Sequence, residues 1–187
     1  RTTTLEPSAP VPTLRDALSR YFEENHFGAD GGYAAAWVDF KLGPVPLPFP
    51  NTDARRRAVR YHDLHHVLTG YRTDLAGEFE ISAWEIGSGC RDFVAAWQLN
   101  LGGMGGGLFL CPARTLRAFR RGRHTKNLYG YVYDDALLAR PVADARRELS
   151  LEDELPPLSP ADAALFVLAE LCGLVVALAS FFVFLPV

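Results

Sequence analysis

Cysteine is scarce in this chain. Its three thiols, at positions 90, 111 and 172, are odd in number and far apart, which argues against a disulfide framework and favours a reducing compartment. Net positive charge is missing too: 19 Lys and Arg against 22 Asp and Glu leave a formal charge of -3, and no nucleic-acid footprint. The stretch LGGMGGGLFL (101–110) has neither the G-x-x-x-x-G-K-[ST] pattern nor a G-x-G-x-x-G opening a helix after a strand, so it is not a phosphate-binding loop. Glycines set among apolar residues suit close helix packing, or room for a slender lipid chain. No secretory leader is written in the polar, proline-containing start RTTTLEPSAPVP. A start without Met reads as trimmed, which leaves an earlier leader open. Histidine is sparse as well: five residues are too few for the multiple boxes of a membrane desaturase or hydroxylase.

Apolar residues are plentiful, 49% of 187, which is ample for one core. The elements read as mainly α. Thr13 caps a helix, TLRDALSRYFEEN, whose Leu14, Leu18, Tyr21 and Phe22 share a face, and Gly28, Gly31 and Gly32 then break it. GYAAAWVDFKL (32–42) reads as a short strand or a helical turn. In GPVPLPFPN (43–51), Pro at every second position from 44 to 50 forbids helix and implies an extended connector. Thr52 or Asp53 caps a helix that ends near Gly70, and a longer helix is expected from about Asp74 toward Asn100, with Gly87 and Gly89 as kink points. YGYVYDD (129–135) gives a tyrosine-rich turn, and SLEDELPPLSP (150–160) an acidic, Pro-broken linker.

Chemistry concentrates in YHDLHHVLTGYRTDLAGEFE (61–80), where three of the five His fall within five positions. At about 3.6 residues per turn, His62 and His66 leave one face of a helix, one turn apart. His65 sits about 60° away by the same arithmetic. Asp63 stands beside the first His, and Glu78 twelve residues beyond the second. Gly70, Thr73, Asp74 and Gly77 read as a stop, a turn and a new start, so Glu78 belongs to a second helix that brings it back. Taken singly, a helical His is commonly a hydrogen-bonded core or surface residue, and Asp63 could simply cap or pair with Arg60. Together, His62, Asp63, His66 and Glu78 have the layout of a divalent metal site. Imidazole nitrogen with carboxylate oxygen suits zinc, and also iron, manganese or cobalt; no nearby Cys makes a structural thiolate site. Glu85, with Ser82 on the same side of the second helix, is the remaining candidate for an acid/base or outer-shell group; a solvated surface Glu is its plain alternative.

These residues also carry a resemblance. H-D-x-x-H, eleven residues and Glu, within HHVLTGYRTDLAGEFEISAWE, resembles the signature of the fourth Coq protein family of coenzyme Q (ubiquinone) biosynthesis. The match is closest from about Arg57 to Gly89. The resemblance implies metal ligands at His62, Asp63, His66 and Glu78, and a mainly α bundle with an apolar cavity for isoprenoid lipid. It also implies action at a membrane surface, oxidative decarboxylation of a prenylated quinone precursor, and the assembly of other quinone biosynthesis enzymes. Glu85 and His65 are then the first proton carriers to test. A lipid-binding scaffold without turnover is the other function the same residues allow, and a homodimer is compatible with either. An HD-type phosphohydrolase would need a further His upstream and an Asp downstream; His26 and Asp134 or Asp135 could be proposed for those places, without local support.

Two further segments bear on location. RTLRAFRRGRHTK (114–126) carries six Arg or Lys plus His124, which is commonly a solvated face but also fits anionic headgroups; aromatics for stacking bases are sparse. From 163 to 187 the chain is apolar apart from Glu170, Gly173, Ser180 and Pro186, long enough at about 1.5 Å per residue to cross a hydrocarbon core of about 30 Å. The expected organisation is a helical metal-binding domain over 1–160 and a hydrophobic helix over 161–187. That helix is membrane-associated or lines a lipid cavity, on the cytoplasmic face of a bacterial membrane or at the mitochondrial inner membrane of a eukaryote.

Overall fold

Thr13 starts the first helix as expected: its hydroxyl accepts from the Asp16 N–H while the Asp16 carboxylate accepts from the Thr13 N–H, a reciprocal cap that opens α1 (Leu14–Glu24). The computed structural model describes residues 11–39, 41–42, 45–46 and 48–184. The leader reading of the first twelve residues falls almost wholly outside the described residues, as do positions 185–187 of the apolar tail. After α1 the chain makes four two-residue strands, β1 (Trp37–Val38), β2 (Lys41–Leu42), β3 (Val45–Pro46) and β4 (Phe49–Pro50). The described parts of the proline run are extended and paired: β1 pairs antiparallel with β4 (Trp37 opposite Pro50), and β2 with β3 (Lys41 opposite Pro46). Two-stranded ribbons leave an outer edge where a proline without an N–H costs nothing.

Thr52 caps α2 (Asp53–Thr69), which stops at Gly70 in the left-handed conformation (φ 75°), and Asp74 caps α3 (Leu75–Ser88). The expected long helix toward Asn100 is instead two. Gly89 turns to positive φ (85°) and Arg91 follows (φ 47°), so the chain restarts as α4 (Val94–Leu110). Asn127 holds this break by donating to the Gly89 carbonyl (2.8 Å) and the Ser88 hydroxyl (2.9 Å). Then come α5 (Pro112–Arg123), a single 3-10 turn (Leu128–Gly130), α6 (Asp135–Leu138), α7 (Val142–Glu148) and α8 (Pro160–Phe184). The chain is thus mainly α, a helical bundle ending in an apolar helix, as the periodicities predict.

The core gathers around α3, which packs against both α4 and α5. Trp84, Leu64, Leu68, Ile81 and Met104 are fully enclosed, each such burial being worth about 1.5–3 kcal/mol. Close approach depends on glycine: a Cβ at Gly87 would overlap the Phe119 carbonyl, and one at Gly122 the Trp84 carbonyl. On the other side Gly105 meets Gly173 of α8, where a Cβ would overlap the Leu101 carbonyl. Four of the five glycines of 101–110 therefore serve helix contact, with Ser82, Phe79 and Thr115 filling the space above Gly103, Gly106 and Gly107, while Gly102 faces open space. An apolar depression, an open groove of about 370 Å³, lies on α8 and is lined by Leu171, Cys172, Val175 and Val176.

Within the basic run Arg120 and Arg121 are half-buried, whereas Arg114, Arg117, Arg123 and Lys126 are exposed. Arg121 donates to the Thr69 (3.2 Å) and Leu151 (3.3 Å) carbonyls, and Arg146 of α7 donates to the Leu68 carbonyl. These arginines satisfy carbonyls at the α2 C-terminus, which helix geometry leaves without partners, where positive charge is also favoured by the helix dipole. Arg114 pairs with Glu80 (2.5 Å) and Arg123 with Asp162 (3.4 Å).

Glu170 is the exception to good packing. Its side chain is buried, and neither carboxylate oxygen has a hydrogen-bond partner. Burial pushes its pKa from the ordinary 4.5 up to about 7. The folded chain then holds a proton that the unfolded chain releases near 4.5, so stability falls as pH rises through the window from 4.5 to about 7. Glu170→Gln is expected to flatten that slope, gaining about 1–3 kcal/mol on wild type above pH 7. Parallel thermal denaturation of both proteins across this window, in one nonionic detergent, checks it; equal slopes would show that Glu170 keeps its ordinary titration.

Candidate metal centre

The α2 to α3 corner builds the site. Gly70 lets the chain reverse direct after Thr69, and this returns the Tyr71 carbonyl to His66, whose Nδ1 lies 2.9 Å away. A carbonyl only accepts, so His66 carries its proton on Nδ1 and turns the Nε2 lone pair outward. Asp74 then starts α3 by accepting from the Gly77 N–H (2.9 Å), and Glu78 falls in the first turn of that helix, where the dipole favours a carboxylate.

His62 is fixed in the same sense by a different group. Its Nδ1 lies 2.9 Å from Oε1 of Glu85, which is ionised, so Nδ1 donates and Nε2 is again free. The two Nε2 atoms stand 3.2 Å apart, and each lies 3.4 Å from a Glu78 oxygen. A four-coordinate ion with bonds of about 2.0–2.1 Å sets neighbouring donors about 3.3–3.4 Å apart. At 3.2, 3.4 and 3.4 Å the separations lie near that length, with His62 facing Oε2 and His66 facing Oε1 of Glu78. His62, His66 and Glu78 thus fit a divalent metal, and the Glu78 carboxylate is partly exposed.

Charge agrees with geometry. Burial would raise the Glu78 carboxyl, but the His62 and His66 imidazoles beside it outweigh it and hold the pKa down at about 2. Burial likewise opposes ionisation of Glu85, and the His62 and His65 imidazoles hold it well below the carboxylate range. Burial would lower His62, yet Glu85 and Glu78 outweigh it and hold the pKa well above 6.5. Two ionised carboxylates beside these imidazoles call for positive charge between the facing nitrogens. A divalent cation supplies it without a proton.

Glu85 and His65 are brought to the site, but from behind. Glu85 is fully enclosed and accepts four hydrogen bonds, from His62 (2.9 Å), His65 (2.7 Å), Tyr129 (2.6 Å) and Asn100. His65 is enclosed too: Nδ1 donates to Glu85, while Nε2 accepts from the Leu128 N–H (3.0 Å). Burial keeps this imidazole neutral. With every polar atom engaged, both residues have the geometry of positioning groups, not of the proton carriers expected from the sequence. The surface alternative for Glu85 is corrected outright. Asn100 and Tyr129 went unremarked in the sequence because nothing local distinguishes them; they follow only from where α4 and the 3-10 turn pack.

Asp63 departs from the fourfold ligand set. At about 100° per residue it leaves α2 on a different face from the His62 and His66 pair, and it accepts from Tyr33 (2.5 Å) and Tyr21 (3.5 Å). It stands outside the His62, His66 and Glu78 group. Its part is indirect: the Tyr21 ring it holds stacks on His66 at 5.6 Å between centroids. Burial raises the Asp63 carboxyl, against the pull of Tyr33. The pieces named for an HD-type hydrolase are used otherwise. Asp134 caps α6, Asp135 pairs with Arg15 (2.6 Å), and His26 lies in the turn after α1. No family model, curated protein or solved structure matches this chain.

The ligand assignment separates the variants. Purified His66→Ala is expected to lose bound metal, whereas Asp63→Asn should keep wild-type stoichiometry by elemental analysis. Loss of metal in Asp63→Asn at retained helicity would make it a ligand. Glu85→Gln, which keeps shape but loses the charge that orients His62, should weaken metal affinity about 10–100-fold in chelator competition.

Proposed function

We propose that this protein binds a divalent metal and a prenylated aromatic quinone precursor in coenzyme Q or related quinone biosynthesis, and that it acts in oxidative decarboxylation of the head group. The observation that carries this reading is the convergence of His62 Nε2, His66 Nε2 and Glu78 within 4.8 Å, each imidazole pinned through its other nitrogen. The H-D-x-x-H-x(11)-E resemblance supplies the pathway. Zinc suits the donors best, with iron, manganese or cobalt as the other candidates. Bound there, the metal would supply Lewis acidity toward a phenolate or carboxylate or, if it were iron, an open position for dioxygen.

The chain's own residues supply orientation. Glu85 and the Tyr71 carbonyl fix both imidazole tautomers, and the Tyr21 ring walls the His66 side. The overall reaction balances without an external reductant: a para-hydroxybenzoate and dioxygen give the quinone, carbon dioxide and water. The carbon–carboxylate bond breaks, an oxygen atom of dioxygen takes its place, and the phenol is oxidised.

A specific observation favours a second reading. His65 and Glu85 have no polar atom left to exchange a proton with substrate, and the metal would then staple α2 to α3 in a lipid-binding scaffold that organises other quinone biosynthesis enzymes. Purified protein loaded in turn with zinc, iron, manganese and cobalt, incubated with a prenylated 4-hydroxybenzoate under air, separates the two. Release of carbon dioxide, absent in His62→Ala, is the expected result. No product from any loaded form, with isoprenoid lipid still co-purifying, would leave the scaffold.

A further inference from the structure

By length and composition α8 could cross a bilayer, and its contacts decide how much of it is free to do so. Asp162, Phe166, Glu170 and Gly173 are its buried residues, spaced four, four and three apart along one edge. Among the described residues nothing on α8 beyond Gly173 is buried. The opposite face is wide and apolar: Leu168 is 57% exposed, Leu171 57%, Val175 66% and Leu178 60%. Between Ala163 and Phe184 the sole charged side chain is Glu170, which is turned inward, so the outer face carries no charge.

The first half of α8 is bound to an arginine-bearing neighbour. Asp162 pairs with Arg123 (3.4 Å) and His124 (3.1 Å), and Phe166 meets Phe119 at 5.6 Å, so α5 runs antiparallel beside it. Placing 160–173 in hydrocarbon would take with it a helix bearing Arg114, Arg117, Arg120, Arg121 and Arg123, whose guanidinium charges are costly to bring near the midplane. The second half carries no such load. Residues 174–184 at about 1.5 Å each extend about 16 Å, half of a hydrocarbon core of about 30 Å. The antiparallel course also sets the α4 to α5 joint at this end, where Phe109 and Leu110 are 72% and 66% exposed. Arg117, exposed in the second turn of α5 just beyond, and Arg114, which also pairs with Glu80, match anionic headgroups at the rim.

We propose that this end of the molecule is a monotopic lipid-docking surface: 174–184 of α8, with Phe109 and Leu110, enter one leaflet of an anionic membrane while 160–173 stay outside the hydrocarbon. The proposal deepens the membrane side of the function above and rests on it for its purpose, since an isoprenoid tail resides in the bilayer. Gly103 and Gly105 of α4 touch Ser82 beside Glu78 on one side and Gly173 on the other, so one helix separates the metal centre from the docking edge. A coiled coil with a second copy in water would want polar flanks, and Leu165, Cys172 and Ala179 offer none.

The test uses the metal-loaded full chain with Cys111→Ser and Cys172→Ser, carrying one environment-sensitive fluorophore on either Leu168→Cys or Leu178→Cys. Vesicles contain phosphatidylcholine with about a third phosphatidylglycerol. Emission from position 178 should shift to the blue on vesicle addition and be quenched by lipids brominated at mid-chain; position 168 should show neither. Val175→Asp with Leu178→Asp should weaken vesicle binding at least about tenfold at unchanged metal content. Deep quenching at both positions would mean a crossing helix and overturn the proposal. So would no shift at either, or a blue shift at 178 that needs no vesicles and follows dimer formation. Docking by a chain that binds no metal would instead sink the proposed chemistry and leave the docking intact.

Discussion

One buried carboxylate organises this molecule. Glu85 sits on α3 with no contact with water, and an ionised group in that position is tolerable only when its acceptor sites are filled. The donors come from three other parts of the chain: His62 and His65 from α2, Asn100 from α4, Tyr129 from the 3-10 turn. Each helix register is therefore set by the same two oxygens. A shift of one residue in α2 or α4 would take a donor away and leave the charge exposed to apolar surroundings. The His62 tautomer is a product of that constraint, so the metal centre inherits its precision from the core.

How much of this is legible in the sequence differs by kind of feature. Helix starts are written locally, and Thr13, Thr52 and Asp74 each act as the caps their chemistry suggests. The His62, His66 and Glu78 group is legible because it combines a one-turn spacing with a glycine stop, both short-range. What escapes the sequence is whatever depends on approach from afar. Glycines at 101–110 are equally good for a lipid slot and for helix contact, and only the presence of Ser82, Phe79, Thr115 and α8 decides. The break at Gly89 is similar: Gly87 stays helical in a crossing while Gly89 ends the helix, because Asn127 arrives to bind its carbonyl.

Asp63 shows the limit of a motif. Four residue types in a familiar order imply four ligands, yet adjacent helical positions point about 100° apart, and two tyrosines claim this carboxylate. Aromatic density on α1 and the following turn thereby becomes part of the candidate site's surroundings, because Tyr21 bridges Asp63 and the face of His66. The same residue order can hold an ion with three protein ligands and a packed outer layer, leaving more of the coordination sphere to an incoming molecule.

The arginines on the α2 carbonyls carry a consequence for biogenesis. Arg121 and Arg146, with the Leu151 carbonyl that Arg121 also binds, lie 50 to 90 residues after the histidines they support, and the Leu128 N–H that engages His65 lies between them. During synthesis the H-D-x-x-H segment leaves the ribosome long before its supports do. The nascent helix can meet metal ions as loose imidazoles, but the shaped site closes only after position 151 has emerged. Ion selection is thus deferred until the segments around 121, 128, 146 and 151 have joined the histidines they frame.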